Sequence, residues 1–281
     1  VQIVRTIAGL REALAIFRDA RESIALVPTM GALHPGHLAL VEEARRRARR
    51  VVVSIFVNPI QFGPNEDLAA YPRREATDVK LLDDAGCDLL WLPSVEEMYP
   101  AGAATTITVR GVSEGLCGAS RPGHFEGVAT IVAKLFNQVR PDTALFGEKD
   151  YQQLAVIRQM NRDLDFGIDV IGVATQREDD GLARSSRNIY LNDDDRAAAR
   201  ALPRALGEAA RAIQAGGDIG AILDHARSRI LAGGFGSVEY VELRDAATLE
   251  PMTTLDRDAR ILAAARLGGT RLIDNLAVPS A

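Results

Sequence analysis

Cysteine is scarce in this chain: Cys87 and Cys117 are the only two in 281 residues. Two thiols supply no disulfide framework and fit a reducing, cytoplasmic setting. Both read as small core residues rather than nucleophiles. Long apolar runs are missing too. None reaches membrane-spanning length, and the first residues lack the basic-then-apolar pattern of a signal segment. Positive charge is not in excess: 33 Lys and Arg face 38 Asp and Glu, for a formal net charge of −5. That balance argues against a nucleic-acid partner, although it leaves room for a local basic patch. What is present is ordinary globular composition, 47% apolar, enough to bury a sizeable core in one large or two modest domains.

The chain is organised around Pro28-Thr29-Met30-Gly31-Ala32-Leu33-His34-Pro35-Gly36-His37. A short apolar run, Ile24–Val27, precedes it and reads as a buried parallel strand. A helical pattern follows, with Leu38, Val41, Ala44 and Ala48 on one face. A strand therefore feeds a glycine-bearing turn that opens a helix, the arrangement in which ligands bind at the carboxyl end of a parallel sheet. Backbone N–H groups and the helix dipole there favour an anion. His34 and His37, three residues apart, fall on one side of the turn, and Gly36 keeps the backbone clear between them. On this motif alone, surface histidines or half of a metal site are alternatives. The metal reading is the poorer one, because His124 and His225 are remote and no zinc-like Cys/His spacing occurs.

The rest of the chain repeats the theme. Ile3-Val4 reads as a strand, and Leu10, Leu14 and Phe17 mark a helix. Arg45 to Arg50 reads as a solvated helix end rather than an RNA contact. Val51–Val57 is the clearest buried strand and ends in a proline- and glycine-punctuated loop holding Asn58 and Gln61, amides suited to hydroxyl and carboxylate groups. A helix is expected over 75–85, a strand over 88–92, an edge strand at Thr105–Val109, and a polar turn from Arg121 to Gly127 before a helix from Val128 to Val139. Arg121 and His124 are anion candidates, although a lone histidine before a helix is more often structural. Thr143–Phe146 is a strand leading to Gly147-Glu148-Lys149-Asp150 and a helix with Gln152 and Gln153; Lys149 offers a point charge for phosphate, and Asp150 an acceptor for a ribose hydroxyl. In isolation the same four residues also read as an exposed capping sequence. Asp169–Val173 closes the βα alternation. Ser185-Ser186-Arg187-Asn188 suits a polyphosphate or is a serine-rich linker. Alanine-rich helices then run to about Leu231, with strand-like segments at 238–243, 261–265 and 271–276. The domain boundary is placed near residues 175 to 190, with units taken as 1–175 and 176–281. Asp67 and Asp78 are nearby carboxylates without an assigned role.

Four motifs in order, Pro-Thr-Met-Gly-Ala-Leu-His-x-Gly-His, Phe-Val-Asn-Pro-x-Gln-Phe, Phe-Gly-Glu-Lys-Asp-Tyr-Gln-Gln-Leu and Ser-Ser-Arg-Asn, closely resemble the pantothenate synthetase family. The likeness extends to Tyr240–Arg244 and to the closing Thr270–Asn275. It implies an α/β fold with a doubly wound, Rossmann-like parallel sheet of the nucleotidylyltransferase type, plus a smaller C-terminal α+β lid domain. It implies ATP-dependent joining of pantoate to β-alanine through a pantoyl adenylate, with release of pyrophosphate and AMP, in a cytoplasmic homodimer. ATP is expected as substrate with Mg2+, with no tightly bound organic cofactor and no membrane or nucleic-acid partner. By the same resemblance, His34, His37 and Lys149 are the catalytic set, His37 being the proton donor. Met30, Gly31, Ala32, Leu33, His34, Pro35, Gly36 and His37 line the ATP site with Gly147, Glu148, Lys149, Asp150, Gln176, Arg184, Ser185, Ser186 and Arg187. Gln61, Gln153 and Asn58 hold pantoate, and Gln61 also neighbours β-alanine; the metal ligands are not assigned. Relatives often carry methionine where Arg184 stands, so an added cation is present here. A nucleotidylyltransferase that keeps a nucleotidyl product shares the histidine turn but has no need of the Gln61–Gln153 pair. An idle nucleotide-binding regulator has no need of His34, His37, Lys149 and Arg187 together.

Overall fold

A computed structural model describes residues 1–64 and 66–280. Six parallel strands form the first sheet: β1 (Gln2–Val4), β2 (Ile24–Thr29), β3 (Arg50–Ile55), β4 (Leu89–Trp91), β5 (Thr143–Gly147) and β6 (Asp169–Val173), in the spatial order β1-β4-β3-β2-β5-β6. Successive crossovers run outward from β2 to β3 and β4, then resume on its other side with β5 and β6. The order therefore reverses between β2 and β5, the switch point at which open α/β sheets bind ligands beyond their strand ends.

Burial explains why these strands are nearly all-apolar. Ala25, Val27, Val51, Val53, Ile55, Leu90 and Leu145 face one layer, built from Leu40, Val41 and Ala44 of α2 (Pro35–Arg47) and Leu82 of α3 (Glu75–Asp84). Leu26, Val52, Leu89 and Trp91 alternate to the other face, where α6 (His124–Val139) packs against β2 and α1 (Ile7–Asp19). Trp91 keeps its indole N–H satisfied there through Gln138 at 3.1 Å.

Several boundaries differ from expectation. The buried face of α2 is Leu40, Val41 and Ala44; Leu38 is half-buried, and Ala48 is an extended cap beyond the helix end. Arg50 opens β3 rather than closing the helix and pairs with Glu22 and Asp88. Thr105–Val109 is not a strand, because its polar groups turn to α6: the Ile107 N–H donates to Thr130 and the Thr108 hydroxyl to Glu126. Helix α6 starts at His124 rather than Val128, since Gly123, at φ 79°, makes the turn. Two short helices, α4 (Val95–Met98) and α5 (Leu116–Ser120), lie in the stretch between α3 and α6.

The chain divides into two compact units. The first comprises Val1–Ser113, Arg121–Glu148 and Val156–Ala174; the second comprises Glu114–Ser120, Lys149–Ala155 and Thr175–Ala281. The start of α7 (Tyr151–Asp163) thus belongs to the second unit. The rest of that unit is α8 (Asp193–Ala198), α9 (Ala201–Gln214) and α10 (Ile219–Ala232) with an antiparallel sheet of β7 (Ser237–Asp245), β8 (Ala259–Leu267) and β9 (Thr270–Val278). Leu202, Leu206, Ile213 and Ile230 pack on Leu243, Ile261, Ala263, Ala265 and Leu272. The opposite face of that sheet is polar, and it receives the two early segments. The Cys117 sulfur lies 3.1 Å from the Tyr240 hydroxyl, and the Arg260 guanidinium stacks 3.8 Å from the centre of the Tyr151 ring. Among the described residues no helix is long and apolar enough to cross a membrane.

One core atom is out of place. Ser54 is fully buried on β3, and its hydroxyl has no hydrogen-bond partner among the described residues. An unpaired buried hydroxyl costs free energy. Ser54→Ala is therefore expected to stabilise the protein by about 1 kcal/mol, measured as a melting temperature higher by about 2 °C; a lower one contradicts the reading.

Candidate active site

The turn after β2 is held in a strained shape by one carboxylate. Gly31 and Ala32 both lie in the left-handed region, at φ 81° and 50°, costly for alanine. Asp78, from the first turn of α3, compensates: its two oxygens accept the N–H groups of Ala32 and Leu33, each at 2.9 Å. Burial pushes the Asp78 carboxyl up from the ordinary aspartate range against these two bonds, which pull it down. A side chain on Gly31 would meet Asp78 and the Ile55 methyl at 3.1 Å, so glycine is required by space as well as by φ.

The strained turn delivers two histidines to the start of α2. His34 is the N-cap residue, and its Nδ1 accepts the Gly36 N–H at 3.1 Å. His37 returns the favour, its Nδ1 accepting the His34 N–H at 3.3 Å. This is a capping box made of imidazoles instead of hydroxyl and carboxylate. The ring centroids are 4.1 Å apart. Because each Nδ1 is an acceptor, the neutral form of each ring carries its proton on Nε2. Both rings therefore offer an N–H donor of defined identity beside the N-terminal end of a 13-residue helix, where an anion is favoured.

Gln61 stands in the same unit, in the 3₁₀ turn Pro59–Gln61, almost wholly buried. Its Nε2 donates to the Met30 sulfur at 3.1 Å, and its Oε1 accepts from Asn58 at 3.0 Å. Asn58 is fully committed: its amide also donates to the Gly127 carbonyl, and its oxygen accepts the Tyr99 hydroxyl at 2.8 Å. Burial pushes the Tyr99 phenol up, keeping it a donor. Asn58 thus orients Gln61 rather than facing outward. The backbone of Gln61 is fixed as well. His124 holds the Gln61 carbonyl through Nδ1 at 2.9 Å, and its Nε2 meets Arg121, which grips Glu66 with two bonds of 2.6 Å. Arg121 and His124 were candidates for an anion; the structure gives them to Glu66 and to Gln61. Burial pushes the Glu66 carboxyl up, but the hydrogen bonds and charge of Arg121 outweigh it and hold the group at about 2.

Gly147 and Glu148 also belong to the first unit, and the remaining candidates lie in the second. Lys149 and Asp150 lie in the 3₁₀ turn Glu148–Asp150 that follows β5, their charged groups 3.6 Å apart. The two adjacent glutamines separate cleanly. Gln152 is buried and spends its amide on Cys117, Glu114 and Gly115. The side-chain amide of the half-buried Gln153 has no such partner among the described residues. Residues 176–184 form a tight return: the Gln176 carbonyl accepts the Arg184 N–H at 2.9 Å, and Arg177 bridges Ala183. Arg184 pairs with Glu178 at 3.0 Å. Ser185 caps the following 3₁₀ turn by accepting the Arg187 N–H at 3.2 Å. Both cysteines are buried; burial pushes the Cys87 thiol up to about 12, far from a nucleophile. Among the described residues no three His, Cys, Asp or Glu side chains group to hold a metal ion.

Sequence reasoning missed Asp78, Tyr99 and Gly127 as parts of this construction. The signal for Asp78 was an acidic residue in the first turn of a helix, which also has the ordinary meaning of dipole compensation. Nothing in the sequence marks Tyr99 or Gly127.

A six-stranded parallel sheet with helices on both faces and an anion-ready turn at its switch point defines an α/β enzyme of Rossmann type. Comparison with known proteins narrows this. The pantoate–β-alanine ligase family model matches residues 2–277. A pantothenate synthetase from Rhizorhabdus wittichii is 63% identical over 281 residues, covering 100% of both chains. One from Sphingopyxis alaskensis is 60% identical over 278 residues, 99% of this chain and 100% of the relative. The crystal structure of the Thermus thermophilus pantothenate synthetase superposes with a TM-score of 0.94 at 49% identity, covering 99% of this chain and 100% of that one. A Francisella tularensis pantoate–β-alanine ligase, solved with beta-gamma ATP and beta-alanine, gives 0.82 at 33% identity, covering 98% and 97%. The chain belongs to the pantoate–β-alanine ligase family, the ligases of pantothenate synthesis.

Two tests address the scaffold around Gln61. A Cβ on Gly127 would fall 2.6–2.7 Å from the Gln61 backbone and the Ile60 carbonyl. Helix propensity alone makes Gly127→Ala stabilising by about 1 kcal/mol. The backbone clash is larger, so a net loss of about 1–2 kcal/mol is expected, read from the urea midpoint; a gain would mean that α6 moves freely off the 3₁₀ turn. Glu66, with a folded pKa below its unfolded one, contributes stability above the usual glutamate range near ~4.3 and loses it as pH falls toward about 2. The stability gap between wild type and Glu66→Gln should therefore be full above pH ~5 and close toward pH ~2; a gap independent of pH contradicts the pairing.

Proposed function

We propose that this enzyme joins pantoate to β-alanine in two steps at the expense of ATP. A pantoate carboxylate oxygen attacks the α-phosphorus of ATP; the bond to the bridging oxygen breaks, and pyrophosphate leaves with the electron pair. The β-alanine amine then attacks the acyl carbon of the pantoyl adenylate, loses a proton and expels AMP, giving pantothenate. The substrate carboxylate is the nucleophile, so no side chain need form a covalent bond. Protein groups instead stabilise charge on the transferred phosphoryl group and the departing pyrophosphate.

In this reading His34 and His37 donate through Nε2–H to the phosphates, with His37 supplying the proton-donating contact to the reacting centre. Lys149 and Arg187 carry fixed positive charge to the phosphate chain, with the hydroxyls of Ser185 and Ser186 beside Arg187. Gly147, Glu148 and Asp150 complete the lysine turn, and Gln176 contacts adenine through its backbone. Arg184 takes part through its backbone, its guanidinium being held by Glu178. Gln61 and Gln153 grip the pantoate hydroxyl and carboxylate, and Gln61 borders β-alanine. Asn58 sets the Gln61 amide. Mg2+ enters with ATP as part of the substrate; such an ion keeps most of its ligands as water and phosphate and asks the protein for one or two carboxylates.

The observation that carries the reading is the reciprocal imidazole cap, which gives two Nε2 donors beside a helix N-terminus at the sheet's switch point. Family membership and the Francisella relative solved with beta-gamma ATP and beta-alanine support it. With ATP, pantoate and β-alanine all present, the products should be AMP, pyrophosphate and pantothenate in equal amounts. ADP, or a stable nucleotidyl product, would overturn the two-step scheme. His37→Ala should slow single-turnover adenylate formation by about two to four orders of magnitude, the range of a lost general acid; a near-normal rate removes His37 from that role.

A further inference from the structure

The closing motif Thr270–Asn275 has no part in the chemistry above, yet two of its residues are among the most buried polar groups in the protein: Asp274 is 2% exposed and Asn275 4%. Consecutive strand residues point to opposite faces of a sheet, so on β9 these two reach in different directions. Asp274 takes the guanidinium of Arg177 in a bidentate grip, at 2.8 and 2.9 Å, and Arg177 also donates to the Asn275 carbonyl at 3.2 Å. Asn275 donates its amide N–H to the backbone carbonyl of Lys149 at 2.9 Å. Its amide oxygen accepts from Arg260 at 2.6 Å, and the Arg260 guanidinium itself sits over the ring of Tyr151, two residues beyond the lysine. Arg177 is the neighbour of Gln176. One dipeptide therefore holds both the side chain next to Gln176 and the backbone carbonyl of Lys149.

Such a pair is poorly explained as stabilisation of the sheet alone. Buried ion pairs and amides add little net stability once desolvation is counted, and apolar residues at these strand positions would serve a core as well. Their bonds leave the sheet and end on the two segments that hold the nucleotide's opposite ends. Resting on the ATP reading of Lys149 and Gln176, we infer that Asp274 and Asn275 are positioning residues for the nucleotide: they fix the spacing between its adenine and phosphate contacts, Asn275 acting through Lys149.

Calorimetric titration with ATP, pantoate absent, tests this with Asn275→Asp, which keeps the shape and the acceptor for Arg260 but loses the donor to Lys149. ATP affinity should fall about tenfold, the size of one net hydrogen bond, while pantoate affinity, titrated separately, stays within about twofold. A merely structural role is separated by repeating the substitution in a Lys149→Ala background. A residue that works through Lys149 then has little left to lose, whereas independent effects add. An unchanged ATP affinity in Asn275→Asp, or an equal loss in both backgrounds, overturns the inference. If Lys149→Ala alone leaves ATP affinity unchanged, the lysine reading fails instead, and the inference built on it goes too. Should Asn275→Asp melt far below wild type, Asn275→Ala carries the same comparison, with the same results expected; Asp274→Asn, whose tie runs to Arg177, should instead lower ATP affinity by a similar factor in both backgrounds.

Discussion

A single buried carboxylate underlies the histidine turn of the first unit. Asp78 accepts two consecutive N–H groups of a turn whose residues Gly31 and Ala32 are both left-handed. Without an acceptor those N–H groups would be desolvated and unpaired, a cost comparable to the backbone strain itself. With it, the chain leaves β2, reverses and enters α2 with His34 at the cap. The cap geometry then follows, since each imidazole Nδ1 meets the N–H that the turn presents to it. The identity of the protons on the two rings is thus decided by an aspartate from another helix that has no place in the chemistry.

The same logic recurs at Gln61. The side chain proposed to hold the hydroxy acid is oriented by a chain of groups that never reach it: Tyr99 on Asn58, His124 on the backbone carbonyl, Arg121 and Glu66 behind His124. Enzymes gain from such support because a donor already held in place needs no reorganisation when the substrate arrives. Gly127 belongs to this support through what it lacks, because only a missing side chain lets α6 approach the 3₁₀ turn so closely.

Much of this fold was legible in the residues. Val51–Val53 and Ile24–Val27 are buried on both faces and so read as unbroken apolar runs. The polar turns after β2, β3 and β5 stand out because charge and glycine interrupt those runs at the carboxyl ends. The motifs at His34–His37 and Lys149–Gln153 were visible for the same reason. What escaped was decided by distant partners. Thr105–Val109 has strand-like composition but gives its bonds to Thr130 and Glu126. Leu38 and Leu40 are equally apolar, and only packing chooses between them. Gln152 and Gln153 are indistinguishable as letters; one is absorbed by the 114–117 backbone and the other is not. Asp78 and Asn275 look like ordinary polar residues until the donor for one and the acceptor for the other are found 45 and 126 positions away.

The second unit gathers a lysine turn and a short cysteine-bearing helix from far upstream onto the polar face of its C-terminal sheet. The tie from Asn275 closes a loop of 126 residues, and that from Arg271 to Cys117 one of 154. Contacts of such long range form late, because the entropy of closing the loop must be met before the contact returns anything. During synthesis the residues near 117 and 149 are made long before β9 exists. Those two segments therefore lack these ties until β9 has been made, and the lysine turn cannot reach its finished form before that strand exists.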